Sequence, residues 1–382
     1  MQISIDPPVR PVDPARFALF DLGFRPLYLL AGAYAALAVP LWGLQYAGWL
    51  PGANILWHAH EMVFGYAFAV IAGFLLTAVR VWTGRPTPTG AALAGIVALW
   101  LIARALALWS LPAAAWAGAL FALAVAWGIG RPLVASGNRR NQFFILLVLA
   151  LGAAGIVLQS YPQLGIAIGL DVVLFVMAVV AGRVVPAFTN SALPGAGARR
   201  HAWLESAALG AILALIAADA VGRTELAAGI AFAAAALHAA RLALWSPLHT
   251  LRRPILWILH LSYAWIVAHL ALRGLAGFGL VPVAAATHAL TVGAIGGLTL
   301  GMMTRTARGH TARPLVVGSV EIAAYSLVQL AALARVFVPL VLPASHLGAT
   351  LVSALFWFAA FAAFTVAYVP ILSRPRLDGE PG

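Results

Sequence analysis

Trp57-His58-Ala59-His60-Glu61-Met62 runs without a break into an apolar stretch from Val63 to Val79. The second part is greasy enough to belong to a membrane span, which takes about 20 apolar residues. The first part puts two imidazoles and a carboxylate at its mouth, where ionisable groups are costly and mark function or a buried partner. Together they set two expectations: a membrane helix bundle, and a metal or haem held by histidine.

Composition extends the first expectation to the whole chain. Of 382 residues, 63% are hydrophobic and 9% charged, and the mean hydropathy is +0.97, far from the range of soluble domains. There is no cysteine, which excludes disulfides, thiolate metal sites and covalent haem attachment. A metal must rest on His, Met or carboxylate, and a haem must be held non-covalently. The net charge of +12 comes from arginines set in twos and threes between apolar spans. Such a pattern orients a chain in the bilayer, with the basic loops in the cytoplasm, and argues against a nucleic-acid partner.

Charged and Pro/Gly breaks divide the sequence into spans at 24–48, 57–80, 90–110, 113–131, 141–160, 163–185, 203–221, 224–245, 254–273, 282–304, 314–337 and 346–371. The fold expected is all-α, a polytopic transmembrane helix bundle of about twelve spans with both termini cytoplasmic. Residues 1–22 form a short cytoplasmic arm, 23–373 the helical domain and 374–382 a cytoplasmic tail. The proline-rich start has no apolar core or cleavage motif and reads as that arm rather than a signal peptide, with an interfacial helix near Phe17 to Leu22. Arginines fall in alternate loops on one side, and only Arg223, Arg273 and Arg335 lie at the opposite ends. No repeat between the two halves is evident.

Depth can then be assigned to the polar residues. On an ideal helix, His58 and Glu61 share a face with Gly65, Ala69 and Gly73, while His60 points about 200° away from His58. The small-residue stripe admits a neighbouring helix or a flat macrocycle. The plainer alternative is an interfacial His-x-His that caps its helix. His260 falls inside the ninth span and His288 inside the tenth, where Gly293, Gly297 and Gly301 point away from the imidazole and Ile295 and Thr299 share its face. A lone membrane histidine is usually a hydrogen-bonded core residue, but three histidine-bearing spans point to a shared site. His58 or His60 matches His288 best in depth. His269 and His346 are weaker candidates, and His201, His238 and His249 are expected in solvent. Arg104 and Asp171 are expected to pair, Glu321 to bond a neighbouring helix, and Asp219, Arg223 and Glu225 to form a solvated network. Met302 and Met303 read as core.

Several stretches resemble the NnrS family: Gly23-Phe24-Arg25-Pro26, Trp57 to Gly65, Ala72 to Val79 with Trp82-Thr83-Gly84-Arg85-Pro86, Gly182 to Asn190, and His288 to Gly296 continuing through Met302-Met303-Thr304-Arg305 to Gly309-His310-Thr311. The order is the same as in the family and runs to about residue 315. The resemblance implies a bacterial inner-membrane protein with haem b and copper, tied to denitrification and to nitric oxide or nitrosative stress. His58, His60, His260, His288 and His310 occupy positions matching the family's recurrent histidines.

On that basis His58, His60, His260 and His288 are the expected metal ligands, with Glu61 and Tyr263 behind them to orient an imidazole or pass a proton. Arg305, Arg308 and His310 gather where haem propionates could pair, although a plain basic loop explains them equally. The expected partners are the bilayer, nitric oxide or a related small nitrogen oxide, and a quinol or other electron donor. Two other classes remain: a respiratory oxidoreductase of the haem-copper oxidase type, whose copper-site motif is not found here, and a proton-coupled transporter using Arg104, Asp171 and Glu321.

Overall fold

The computed structural model describes residues 16–52 and 54–380, and every extended element among them is a helix. In chain order these are α1 (Phe24–Tyr46), α2 (Ile55–Thr83), α3 (Gly90–Leu106), α4 (Leu111–Ala135), α5 (Phe143–Ser160), α6 (Pro162–Ala192), α7 (Ala202–Ala220), α8 (Thr224–Leu244), α9 (Pro254–Gly277), α10 (Val283–His310), α11 (Ser319–Val341) and α12 (His346–Ser373). All but α3 are long and apolar enough to cross a membrane, and α3 is apolar but shorter. The chain is therefore a multi-pass membrane protein.

Local chemistry sets several of the helix starts. The Asn54 side chain accepts from the backbone of Leu56 and Trp57 at 2.9 and 3.2 Å, which caps α2 and places Trp57 and His58 in its first turns. Pro162 and Pro254 open α6 and α9 at the position where a missing N–H costs nothing.

Neighbours in sequence pack on one another, and the ring closes where α1 lies along α12. The chain ends meet at the arginine-rich end of the bundle. Ala18 N donates to Ser373 O at 2.8 Å, and the buried Arg25 donates to the carbonyls of Leu372 and Arg374 at 3.1 and 2.7 Å. Beyond α12, Leu377 N donates to Thr311 O at 3.2 Å. Arg376 holds the Asp378 carboxyl down to about 2; the carboxylate contributes above its ordinary range and loses that only as pH falls toward 2, so this clasp is charged at any pH the protein meets. The expected helix near Phe17 to Leu22 does not form: those residues are turns and bends with Phe17 exposed, laid across the end of α12. Residues 1–15 of the expected arm lie outside the described residues.

Two helices carry a wide π turn. In α2 it spans Glu61–Ala67, directly after His60; in α10 it spans Ala289–Gly296, directly after His288. One 228-residue step carries His60 to His288, Gly65 to Gly293, Gly73 to Gly301, Arg80 to Arg308, Arg85 to Arg313 and Pro86 to Pro314. The same step takes Arg25-Pro26 to Arg253-Pro254 and Gly90 to Gly318. It also matches Gly84 with Ala312, both at positive φ just past their helices. The chain thus holds an internal repeat that the sequence alone hid, because few apolar positions are identical and only the punctuating residues keep step. The two helices meet directly through a hydrogen bond between the hydroxyls of Tyr66 and Thr299.

Glycines set the closest approaches. The stripe of Gly293, Gly297 and Gly301 faces Trp265, Ser262 and Ile258 of α9, as expected from its spacing. In α6, Gly182 makes room for Arg241, whose guanidinium reaches Glu205 at 2.8 and 3.1 Å, Tyr263 Oη at 2.7 Å and Ala178 O at 3.1 Å. A Cβ there would collide with Arg241 Nη2 and lie 2.7 Å from Glu205 Oε2. Gly182→Ala should therefore break a buried ion pair and cost on the order of 3 kcal/mol. Thermal unfolding in detergent should show a lower midpoint than the control Gly210→Ala, whose new Cβ meets open space.

Candidate functional site

The polar groups of α2 divide between two sites. Glu61 and His60 form one of them. Glu61 is fully buried, and its Oε1 accepts from His60 Nδ1 at 2.6 Å. Arg104 Nη1 of α3 lies 2.6 Å from Oε2, and Tyr34 of α1 donates to the same oxygen. Arg104 therefore pairs with Glu61, not with Asp171 as depth alone suggested. Asp171 takes Arg273 of α9 at 2.9 Å, and Arg273 also reaches Asp219, so Asp219 belongs to this pairing rather than to a network with Arg223 and Glu225.

The π turn and a glycine make the Glu61 site possible. A wide turn leaves backbone carbonyls without their usual donors, and Trp100 Nε1 supplies one to Gly65 O at 2.9 Å. Gly65 lies against the guanidinium of Arg104, where a Cβ would collide with Nη1. Further down, a Cβ on Gly73 would lie 3.1 Å from Leu27 and Tyr28 of α1, so that helix packs closely here. Of the two occupants that the small-residue stripe admitted, the neighbouring helix is present. With Nδ1 committed to the carboxylate, His60 keeps Nε2 as its remaining polar atom.

His58 forms the second site with groups from four other helices. Its ring stacks on Trp42 of α1 at 4.1 Å and 23°, and Trp42 stacks on Tyr46. Its Nδ1 is buried with no hydrogen-bond partner. His58, His346 and Arg335 all lie within electrostatic reach of His288. His288 gives Nδ1–H to Ala284 O at 2.7 Å, which fixes the ring and leaves Nε2 free, the arrangement that prepares an imidazole to bind a metal. Arg335 Nη1 sits 3.5 Å from His346 Nε2. His346, a weaker candidate by sequence, joins this group, whereas Trp42 and Arg335 were missed: each comes from a different helix, and no spacing in one segment announces them.

The remaining expected residues lie elsewhere. His260 has Nδ1 beside Leu256 O at 3.0 Å and Nε2 beside Trp245 O and the Thr189 hydroxyl at 3.2 and 3.3 Å, so it is a satisfied core residue and does not join His58 and His288. Tyr263 does orient an imidazole, but that of His238, at 2.6 Å. His238 is itself fully buried rather than solvated, while His201 and His249 are exposed. His269 gives Nδ1 to Ala286 O at 2.8 Å.

Arg308 pairs with Glu321 at 3.1 Å, and Glu321 also accepts from Tyr368 of α12 at 3.0 Å and from Gly318 N. Glu321 thus bonds a neighbouring helix as expected. Arg305 and His310 line a cavity at the arginine-rich end. At 1.5 Å per residue, Arg305 is about 25 Å along α10 from His288, so a porphyrin held by His288 cannot set its propionates on Arg305.

Two imidazoles from separate helices, one with Nε2 free and the other with Nδ1 buried without a partner, are groups that could ligate a metal. No three of His, Asp and Glu among the described residues are grouped to hold one ion. The family model described as NnrS protein matches residues 18–376. No curated protein matches the chain.

The Glu61 site carries its own test. Arg104→Gln alone strands a buried carboxylate and should cost about 3–5 kcal/mol. Adding Glu61→Gln should recover most of that loss. A double-mutant cycle read by thermal unfolding in detergent checks the coupling, and additive losses would mean that the two groups do not interact.

Proposed function

We propose, from the premise that this chain belongs to the NnrS family, that it is a haem- and copper-binding protein of the bacterial inner membrane. It handles nitric oxide or a related small nitrogen oxide, and its arginine-rich end faces the cytoplasm. The observation that carries the reading is the His58 and His288 pair, each ring fixed by its surroundings and each with a nitrogen left over.

His58 and His288 are the residues that would hold the haem. Bound metal supplies a redox centre at which a nitrogen oxide can ligate. Trp42 covers one face of His58 and keeps water from it. His60, held at Nδ1 by Glu61, keeps a proton beside a carboxylate that Arg104 and Tyr34 hold in place. Electrons would come from a membrane donor such as a quinol. Copper would take the imidazole of His346, at the rim of the group, as one of its ligands.

The protein purified in mild detergent should be coloured, with a Soret band and measurable copper. His58→Ala and His288→Ala should each remove most of the Soret absorbance, whereas His249→Ala, an exposed residue, should leave it unchanged. Nitric oxide should shift the spectrum of the reduced protein. A colourless wild-type preparation with neither iron nor copper would sink the proposal.

A further inference from the structure

A narrow apolar cleft runs between α2, α6 and α10, where α6 packs closely on neither the lower part of α2 nor that of α10. Val70, Ile71, Val180, Leu298 and Met302 are among its walls, and the lining is almost wholly apolar. Phe74, Val184 and Met302 also line a second cavity at the arginine-rich end, so the two adjoin. The polar groups at that mouth are Thr77, Arg305, Thr306 and His310.

Arg305 is the anomaly among them. It is 7% exposed, its guanidinium carbon lies 3.8 Å over the Phe188 ring, and its Nη1 is buried without a hydrogen-bond partner. No carboxylate among the described residues pairs with it, although Arg308, one turn on, has Glu321. A largely buried guanidinium stacked on an aromatic face, with one nitrogen unpartnered and no carboxylate paired to it among the described residues, is poorly compensated, and in membrane segments such a group calls for a counter-charge. The cavity supplies the space for one.

We infer that the cleft binds an anionic amphiphile, its carboxylate or phosphate head on Arg305 and its slim apolar chain between α2, α6 and α10. The charge asks for an anion, and the walls above are lined almost wholly by hydrocarbon. A free inorganic anion leaves the slot unfilled. A porphyrin would meet no imidazole along it, since His310 stands at the mouth and the other histidines line neither cavity. Free fatty acids and acidic phospholipids share the required chemistry, and the inner leaflet offers the second. The site is independent of the metal reading, because it lies at the opposite end of α10.

Native mass spectrometry of the full chain in mild detergent tests the inference. After delipidation, palmitate, phosphatidylglycerol, phosphatidylcholine and inorganic phosphate are each added back. One equivalent of palmitate or phosphatidylglycerol should be retained at least tenfold more tightly than phosphatidylcholine. Retention of palmitate alone identifies a fatty-acid site, and of phosphatidylglycerol alone a phospholipid site; both support the inference. Arg305→Gln should lose the tenfold preference and Arg305→Lys should restore part of it. Met302→Trp, which fills the slot but leaves the charge, should abolish retention of the chain. Phosphatidylcholine held as well as phosphatidylglycerol, inorganic phosphate competing equally, haem as the retained adduct, or unchanged binding in Arg305→Gln and Met302→Trp would each overturn it.

Discussion

Glu61 is a carboxylate with no exposure, set inside a helix made to cross a bilayer. Burying such a charge is tolerable only when a counter-charge and hydrogen bonds surround it. The neighbourhood follows from that need. Arg104 must enter from α3, so Gly65 carries no side chain where the guanidinium passes. Tyr34 and His60 take the remaining lone pairs. The helix widens into a π turn at this level, and Trp100 satisfies a carbonyl that the widening exposes. One interaction thus fixes the relative placement of α1, α2 and α3 at the end of the bundle that carries the histidines.

The architecture was largely legible in the sequence, because the hydrophobic effect and the bilayer thickness act on composition and length alone. Helix ends shifted by a few residues, and α3 proved shorter than its expected span. The glycine stripe of α10 was read correctly because periodicity within one helix fixes which face it presents. Pairings between helices were not legible. Arg104 and Asp171 match in depth, yet each found a nearer partner, since depth says nothing of position around the ring. His238 looked solvated from its place near a helix end, but the packing of α8 on α9 buries it against Tyr263. The second histidine site needed five helices to be assembled before Trp42 and Arg335 could be counted with His58, His288 and His346.

The internal repeat shows how the two sites came to differ. Under the same 228-residue step, Glu61, Arg104 and Tyr34 correspond to Ala289, Ala332 and Ser262. In the other direction, His58, Arg335 and His346 correspond to Ala286, Ala107 and Gly118. Each copy has lost the polar groups that the other keeps, while both keep the histidine before the π turn. In one copy that histidine is tied to a carboxylate; in the other it is tied to a backbone carbonyl beside a second imidazole. The backbone device is shared and the chemistry around it is divided.

The seam between α1 and α12 has a consequence for how the protein is made. Translation delivers α1 first and α12 last, yet α1 buries Trp357 Nε1 of α12 against Ala35 O at 3.0 Å and Arg25 against the carbonyls that end α12. Until α12 is made, α1 has lipid, or a helper in the membrane, where that helix will be. The seam therefore cannot close until α12 has been made, and a ribosome that stalls before it leaves that face of α1 uncovered.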